Sequence, residues 1–345
     1  MIVELDPVDQ ERAKAWDAYV YSSPFAGHGH LVGWRRVVER SYGHRCTYLI
    51  AEENGVIRGI LPLVLIQSRL FGRSLVSLPF LDEGGICSQD ERSRDELYRE
   101  AYRLFGYHKA DCLDLRHRHP SGLDLSSHAG KVTLVLELPD DPQRLWEGFD
   151  PKLRNQIRKA MKSDLAVSWY GLEGLSDFYG VFATNMRDLG SPVHSRRFFE
   201  AILNEFPDSA KLILVRQEKR TIGGGLCLLF KNSFFMPWAS SLRSYLSLCP
   251  NSLLYWEAIR WACEKGYRKF DFGRSSPGGG TYRFKKQWGA QDARLHWQFL
   301  SSEGRQAPVL QTDDQRFRWA LQVWRRLPLS IANRIGPFLR KQISN

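Results

Sequence analysis

The spacing of apolar residues in the first part of the chain predicts two helices. Ala13, Trp16 and Tyr19 recur at helical intervals and indicate a helix over 9–20. A second helix is predicted over 34–41.

The pattern then changes to apolar runs broken by turn residues, which is typical of strands. Two such runs within 45–66 flank Asn54-Gly55, and Asn-Gly between apolar runs is a strong hairpin signal. A strand leading into an acidic glycine turn is predicted over 70–86, followed by a helix over 93–105 and a strand over 110–115.

The second half of the chain repeats this order. A helix over 198–206 precedes a strand, a polar turn and a strand over 210–231. The pairs Gly59/Leu63 and Gly224/Leu228 fall at one constant offset. The repetition therefore extends to individual glycine and leucine positions.

A second match lies further along each half. The segment GYHKADCLDLR (106–116) parallels GYRKFDFGR (266–274): in both, a helix stops at Gly-Tyr and a strand starts near an Asp after a Lys. Two matches in the same order predict a duplicated α/β domain. The halves differ after these strands, so we expect the chemistry to depend on the second half.

The length of 345 residues is compatible with about two domains. Pro139, Asp140, Asp141 and Pro142 form a breaker cluster that predicts a boundary. We therefore expect a first domain over 1–140, a second domain with the active site over 141–305, and a basic amphipathic tail over 306–345.

Composition narrows the class of protein. A formal net charge of +11 favours an anionic partner such as nucleic acid, anionic lipid or a phosphorylated substrate. The six cysteines show no paired spacing, so we expect reduced core thiols. The first residues lack the basic and apolar regions of a signal peptide, and no apolar run approaches the roughly 20 residues of a membrane span. We predict a cytoplasmic protein.

Chemistry is concentrated in KFDFGRSSPGGGTYRFKKQWGAQ (269–291). A buried strand containing Phe270 and Phe272 leads into Gly278-Gly279-Gly280 and then into a cationic and aromatic run. Three glycines allow a ligand to approach the backbone, and nearby cations suit a phosphate, a carboxylate or an oxyanion. The simpler alternative is a solvated loop followed by an ordinary strand.

Two other segments are strongly basic. Cations crowd one short helix within 152–162, interleaved with Leu153, Ile157 and Met161, which indicates a packed face and a basic face. That basic face is either a solvated surface or a site for phosphate or RNA. The tail over 313–345 is basic and rich in Trp, which suits either an anionic membrane surface or a docked helix.

Several isolated residues have weaker indications. Asn251 or Ser252 is expected to cap a long helix that ends at Gly266, and Trp238 is expected to line a pocket. The pairs His28/His30 and His117/His119 lack a carboxylate or Cys that would complete a metal site. We predict no metal.

The block from Pro250-Asn251-Ser252-Leu253-Leu254 through FDFGRS and the glycine loop to YRFKKQWG resembles the FemAB family of the GNAT superfamily. The resemblance covers most of the chain, and the FemAB-like proteins of exosortase/PEP-CTERM and exopolysaccharide loci are the nearest branch. It implies an α/β (α+β) fold of tandem GNAT-like domains, each a mixed, mostly antiparallel sheet flanked by helices. It also implies transfer of an aminoacyl group from charged tRNA, or of an acyl group from another donor, to an amine on a peptidoglycan or exopolysaccharide precursor.

By the family's Phe-Lys motif, Phe284 and Lys285 would lie at the reacting centre, with Lys285 stabilising the oxyanion or the departing ribose oxygen. Asp271 would orient a cation, accept a proton or serve as a structural cap. The other expected site residues bind the substrate, namely Tyr282, Arg283, Trp238, Arg274, Ser275, Trp288 and Asn251. Arg154, Arg158 and Lys159 resemble the family's basic helix and would bind donor phosphate or RNA.

Two departures leave the donor open between aminoacyl-tRNA and acyl-CoA, with no tightly bound cofactor expected. The loop over 240–253 lacks the glycines with which acetyl-CoA-binding domains cradle pyrophosphate, and no heptad run corresponds to the coiled-coil insertion of some FemAB members. The tail would allow peripheral contact with the inner membrane face. The competing hypothesis is a non-catalytic adaptor that binds RNA or membrane.

Overall fold

The computed structural model describes residues 1–69, 71–127, 132–302 and 315–344, with side chains described from 321 onward in the last range. The chain divides into two compact units. The first unit comprises Met1–Ala129, Arg294–Gln311 and Phe338–Asn345, and the second comprises Gly130–Ala293 and Thr312–Pro337.

The first unit begins with a short strand, followed by the two helices and the hairpin that the apolar spacing predicts. Its elements up to residue 127 are β1 (Ile2–Glu4), α1 (Gln10–Ser22), α2 (Gly33–Tyr42), β2 (Arg45–Glu53), β3 (Val56–Ser68), β4 (Gly72–Val76), β5 (Cys87–Ser88), α3 (Glu91–Tyr107), β6 (Cys112–His117) and β7 (Ser126–Ser127). The hairpin turn is confirmed at Asn54 and Gly55, whose φ angles of 50° and 77° are those that Asn-Gly tolerates.

The second unit continues the chain and receives most of the remaining elements. They are β8 (Val132–Glu137), α4 (Pro142–Gly148), α5 (Pro151–Met161), β9 (Leu165–Tyr170), α6 (Leu175–Leu189), α7 (Arg196–Glu205), β10 (Ala210–Gln217), β11 (Arg220–Phe230), β12 (Ser233–Ser241), α8 (Pro250–Glu264), β13 (Lys269–Ser275), α9 (Gly280–Lys286) and β14 (Gln291–Arg294). After them come β15 (His296–Ser301), α10 (Gln315–Arg326) and α11 (Leu329–Arg340).

The two sheets share the same arrangement of central strands. The first runs β1-β2-β3-β4-β6-β15-β7, with β5 also on β3, and the second runs β14-β8-β13-β12-β11-β10-β9. Most pairings are antiparallel, but in each sheet the strand after the long helix joins in parallel, β6 beside β4 and β13 beside β12. The tandem fold with mostly antiparallel sheets flanked by helices is thereby confirmed.

The repeats exchange their last strands. The strand β8 follows the first repeat but pairs with β13, and β15 follows the second repeat but pairs with β6. The sequence boundaries at 140 and 305 differ from the observed division for this reason, since β8 lies before 140 and belongs to the second sheet.

Each unit packs helices on its sheet around a separate core. Leu97 and Ala101 of α3 contribute to the first core, while Tyr255 and Ile259 of α8 contribute to the second. Trp256 and Cys263 of the same helix are also buried in the second core.

One local prediction holds and one alternative needs correction. The strand predicted to lead into a turn within 70–86 is β4, which ends at Val76, and Leu78 and Phe80 lie after it at positive φ angles of 47° and 75° that extended backbone excludes. The run after the glycine loop is the helix α9, so the alternative of an ordinary strand there is wrong.

The described part of the tail docks on the protein. Gly336 of α11 lies so close to Val193 that an added Cβ would be 3.0 Å from the Val193 nitrogen, and Leu321 of α10 lies beside Gly190. Residues 306–314 of the predicted tail, including Asp313 and Asp314, lie outside the described residues, as do the side chains of Arg316, Arg318 and Trp319. Among the helices that the structure describes, none has both the length and the apolar character to cross a bilayer.

Candidate active site

The parallel strands of the second sheet separate at their carboxyl ends. β12 and β13 pair only over 233–235 and 269–271, although β12 continues to Ser241 and β13 to Ser275. In open α/β sheets, ligands commonly bind just beyond the carboxyl ends of the strands. The divergence therefore marks the region where the second unit can receive a substrate.

An irregularity in β13 shapes this region. The register against β8 shifts between Asp271 and Arg274, and Gly273 within the shift has a φ of 75°. The buried carboxylate of Asp271 accepts hydrogen bonds from Thr133 Oγ1 at 2.5 Å and from the Gly273 nitrogen at 2.7 Å. This placement favours a bracing role for Asp271, because both contacts hold the bulge in shape.

Lys285 of α9 is the buried cation at the same place. The residue is 8 % exposed, and its Nζ donates to the carbonyls of Gly273 at 2.8 Å and Arg274 at 3.1 Å. Those carbonyls belong to the bulge, so the bulge fixes the position of the ammonium group. A positively charged donor held in advance is what an oxyanion requires.

Aromatic rings form a wall beside the Phe-Lys pair. Tyr255 of α8 lies with its ring centroid 5.2 Å from that of Phe284, 5.4 Å from Phe272 and 6.1 Å from Trp288. Trp288 is 1 % exposed and also contacts Phe149. Burial raises the pKa of Tyr255 well above its usual range, so the phenol stays protonated at neutral pH.

The other residues of the cationic run face outward. The Tyr282 hydroxyl donates to Asp292 Oδ2 at 2.7 Å, which is the main reason that the pKa of Tyr282 is raised. Arg283 is exposed, and Lys286 pairs with Asp292 at 3.3 Å. The structure therefore separates Lys285 from its basic neighbours.

The glycines that lead into α9 make few packing contacts. A Cβ added at Gly278 or Gly280 would meet no atom within 4 Å, although the φ of 78° at Gly278 does favour glycine. The space around these two glycines is therefore open, as expected for a loop that a ligand approaches closely.

The start of α8 lies at the end of β12. Asn251 Oδ1 accepts a hydrogen bond from Ser241 Oγ at 2.6 Å, and Ser252 Oγ donates to Gln156 of α5 at 3.3 Å. The capping prediction is wrong: the N-cap is Cys249 at a φ of 56°, because Pro250 starts the helix one residue before Asn251.

The basic helix α5 is attached to this corner through Gln156. Its apolar face is buried at Leu153, Ile157 and Ala160. Arg158 is exposed and its guanidinium lies 5.4 Å from the Trp146 ring, while Lys159 is exposed. The two-faced helix predicted from the sequence is observed, with Arg158 and Lys159 outward. Met161, expected on the packed face, is 47 % exposed, and Ala160 is buried instead.

Three of the predicted site residues have a buried polar atom without a hydrogen-bond partner. These atoms are Arg154 Nε, Ser275 Oγ and Trp288 Nε1. Buried polar groups in folded proteins are nearly always satisfied, so each of the three is suited to a bound ligand or water.

Trp238 and Arg274 have other surroundings. The Trp238 ring packs among Phe198, Phe199 and His194, with centroids 5.5 to 6.0 Å away, and is 8 % exposed. Arg274 is half-buried and supplies a carbonyl to Lys285. Trp238 of β12 therefore belongs to an aromatic cluster with His194 and two phenylalanines of α7, and its role in lining a pocket remains a prediction.

Sequence reasoning missed Thr133, Ser241 and Tyr255. Thr133 and Ser241 meet their partners through sheet pairing and helix docking, for which the local sequence has no signal. Tyr255 could have been identified from the sequence. It follows Asn251 by one helical turn, so the two residues lie on the same face of the predicted helix.

In the described part of the chain, no group of three or more His, Cys, Asp or Glu residues is arranged to hold a metal ion. All six cysteines are free thiols.

Comparison with known proteins agrees with the topology. Residues 151–286 match the family described as "Acetyltransferase (GNAT) domain". Comparison with curated protein sequences gives no significant match.

Three solved structures are similar in fold. FemX is 14 % identical with a TM-score of 0.69 over 88 % of this chain and 97 % of its own. L-PGS from Bacillus licheniformis is 12 % identical with a TM-score of 0.52 over 94 % and 98 %. A tandem GNAT protein from the clavulanic acid biosynthesis pathway is 12 % identical with a TM-score of 0.53 over 89 % and 99 %.

Proposed function

We propose that this chain, whose residues 151–286 match a GNAT acetyltransferase domain and whose tandem fold is similar to that of FemX, transfers an acyl or aminoacyl group to an amine on a cell-envelope precursor. The observation that supports this chemistry most is the Lys285 ammonium held by the bulge carbonyls beside the divergent strands. For the acceptor we propose a peptidoglycan or exopolysaccharide precursor, which is what the FemAB-like resemblance of the block from Pro250 to Gly289 implies.

The reaction is the attack of an amine nitrogen on the carbonyl carbon of a thioester or ester. The tetrahedral intermediate carries its negative charge on the former carbonyl oxygen, which Lys285 Nζ stabilises. The C–S or C–O bond to the donor then breaks, the amine loses a proton, and the leaving thiolate or ribose oxygen takes one. Phe284, packed against Tyr255, limits access of water to this centre.

Lys285→Ala tests this role, with Lys286→Ala as the matched control on the same helix. Removing one oxyanion donor costs roughly a hundred- to a thousandfold in rate, so we expect a loss of that order for Lys285→Ala. Lys286 pairs with Asp292 at the surface, so its variant should retain activity. Turnover is measured with acyl-CoA and with aminoacyl-tRNA, and thermal unfolding shows that both variants fold.

Wild-type turnover in Lys285→Ala would remove this residue from the mechanism. Equal losses in both variants would indicate a general effect of charge on α9 and would contradict the specific role of Lys285.

The donor is an acyl-CoA or an aminoacyl-tRNA. GNAT domains typically use acyl-CoA, which favours the thioester. The exposed cations of α5 and the unsatisfied Arg154 Nε suit the phosphates of either donor. Calorimetric titration with acetyl-CoA, a longer acyl-CoA and uncharged tRNA separates the two: saturable binding of CoA alone excludes the tRNA donor, and binding of tRNA alone excludes the thioester.

Peripheral membrane contact is proposed for the outer face of α11. Ile331, Ile335 and Phe338 are exposed on one side together with Arg334, although Ala332 and Gly336 on the other side are buried. Apolar residues beside a cation suit an anionic lipid surface. The protein should sediment together with anionic vesicles, and Ile335→Ser should reduce the fraction that sediments. If the protein does not bind the vesicles, the proposed contact is refuted.

A further inference from the structure

The first unit has its own cavity at the place that corresponds to the active-site region of the second. It has a volume of about 230 Å³ and lies where β6 ends and α3 begins, with Asp90 and His117 among its lining residues. β6 is the counterpart of β13, because each is the strand that joins its sheet in parallel, and α3 is the counterpart of α8, because each helix directly precedes that strand. The duplicated fold therefore presents a second ligand position.

The chemistry of this cavity differs from that of the second unit. In place of the glycine loop and α9, the chain after β6 continues as Arg118, His119, Pro120 and Ser121, all of which line the cavity. The Phe-Lys pair has no counterpart in this segment, so the cavity suits binding rather than acyl transfer.

The cavity does not favour an anion. The three arginines that line it already have carboxylate partners: Arg94 with Asp95 at 2.8 Å, Arg116 with Asp114 at 3.0 Å and Arg118 with Glu83 at 2.7 Å. Two further carboxylates, those of Asp90 and Glu91, line the same space and would repel a negative ligand. An uncharged ligand with hydroxyl groups can donate to these carboxylates and accept from the guanidinium groups.

His117 adds a donor that the protein leaves unsatisfied. Nε2 accepts the Ile86 N–H at 3.0 Å, so in the neutral ring Nδ1 carries the proton. Nδ1 is buried and makes no hydrogen bond of good geometry, although the backbone of His296 lies close enough to favour a higher pKa of the ring. Burial lowers the pKa of His117 to about 4, which keeps the ring neutral. A ligand oxygen would satisfy this donor.

The rim supplies an aromatic surface. Phe25 is 56 % exposed and its ring lies 5.9 Å from that of His119, at an interplanar angle of 74°. An exposed aromatic face beside polar groups suits a molecule with one apolar and one hydroxylated side, which describes a pyranose ring. The volume is below the roughly 300–1,000 Å³ of pockets for drug-sized ligands, so it fits one ring.

We propose that this cavity binds a single uncharged pyranose unit, with His117 as a hydrogen-bond donor and Phe25 as a stacking platform. The proposal depends only on the first unit. It does not require acyl transfer, so it fails or succeeds independently of the proposed function.

The test is saturation-transfer NMR of the full-length protein with glucose, galactose, mannose and N-acetylglucosamine as probes. Phe25→Ala and His117→Gln should each weaken the transfer severalfold. Gln keeps an acceptor for the Ile86 N–H but removes the donor at the Nδ1 position. Tyr102→Ala is the matched control, because Tyr102 is 54 % exposed on α3 and does not line the cavity.

Transfer to at least one sugar, reduced in both cavity variants and unchanged in Tyr102→Ala, supports the site. Three results would overturn it: no transfer to any of the four sugars, transfer that the cavity variants do not change, or displacement of the sugar by millimolar phosphate. Thermal unfolding of each variant shows that it folds; if His117→Gln does not, Phe25→Ala at the exposed rim decides the question.

Discussion

Lys285 and Lys286 are adjacent in sequence but have opposite environments. Lys285 is buried against the bulge carbonyls, whereas Lys286 is half-buried and paired with Asp292. The Phe-Lys resemblance pointed to the first of the two, but the sequence has no feature that distinguishes a buried from an exposed lysine in a run of cations. The difference arises from the helical geometry of α9, which directs neighbouring side chains to different sides.

Asp271 shows how a residue of catalytic type can have a structural position. Its carboxylate accepts from Thr133 and Gly273, and Thr133 lies on β8, which is 138 positions away in the chain. Only the pairing of β8 with β13 reveals this contact. The sequence therefore left the choice between a proton acceptor and a structural cap open.

Thr133→Val and Asp271→Asn distinguish these roles. If Asp271 braces the bulge, each variant should lower the free energy of unfolding by about 1–3 kcal/mol and should retain turnover, because the substitution removes a buried hydrogen bond. Urea unfolding and turnover are measured together. Full stability with abolished turnover in Asp271→Asn alone would show instead that Asp271 accepts the proton.

At the scale of elements, the local pattern predicted the hairpins and most helices well. The β2–β3 turn at Asn54-Gly55 and the amphipathic helix α5 follow from short-range rules of turn conformation and helical spacing. The helix α9 was not predicted, since three glycines next to a run of aromatic residues do not favour a helix. Packing of Phe284 against Tyr255 supplies stabilisation that the local sequence lacks.

The basic face of α5 should contribute to donor binding in a salt-dependent way. The double variant Arg158→Ala/Lys159→Ala should weaken binding of tRNA, because fewer phosphates are then neutralised by the protein. The slope of log K against log salt should fall by about one for each phosphate that is no longer neutralised. Binding is measured by titration at several salt concentrations.

Arg196→Ala/Arg197→Ala on α7 is the control, because it removes the same charge from exposed residues of another helix. Equal effects of the two double variants would show that overall charge, rather than α5, determines binding.

At the scale of the whole molecule, the duplication was visible in the sequence but the exchange of strands was not. The matches at Gly59/Gly224 and at the two Gly-Tyr segments lie within each repeat, so they predict repetition without showing which strands pair. The boundary near Pro139 follows the breaker residues, whereas the pairing of Val132–Glu137 with β13 is a long-range contact. Local rules contain no information on that contact.

The exchange predicts how fragments of the chain fold. Residues 130–294 contain the whole second sheet, whereas residues 141–294 lack β8 and expose one edge of β13. We expect the first fragment to unfold cooperatively and the second to aggregate, because an unpaired central strand associates with other edges. Circular dichroism during heating and size-exclusion chromatography provide the measurement. Equally soluble and cooperative fragments would contradict this.

The exchanged strands also bear on how such a chain can arise. Each repeat contains every strand of its sheet except one, which the other repeat supplies. An ancestor with a single repeat would therefore have formed this sheet only as a dimer in which the two copies exchange their last strands. The association of separate copies depends on dilution, whereas a covalent connection holds the partner at an effective concentration on the order of millimolar. Fusion of two gene copies would then have made assembly independent of expression level. It would also have freed one copy to lose its glycine loop and acquire a different ligand.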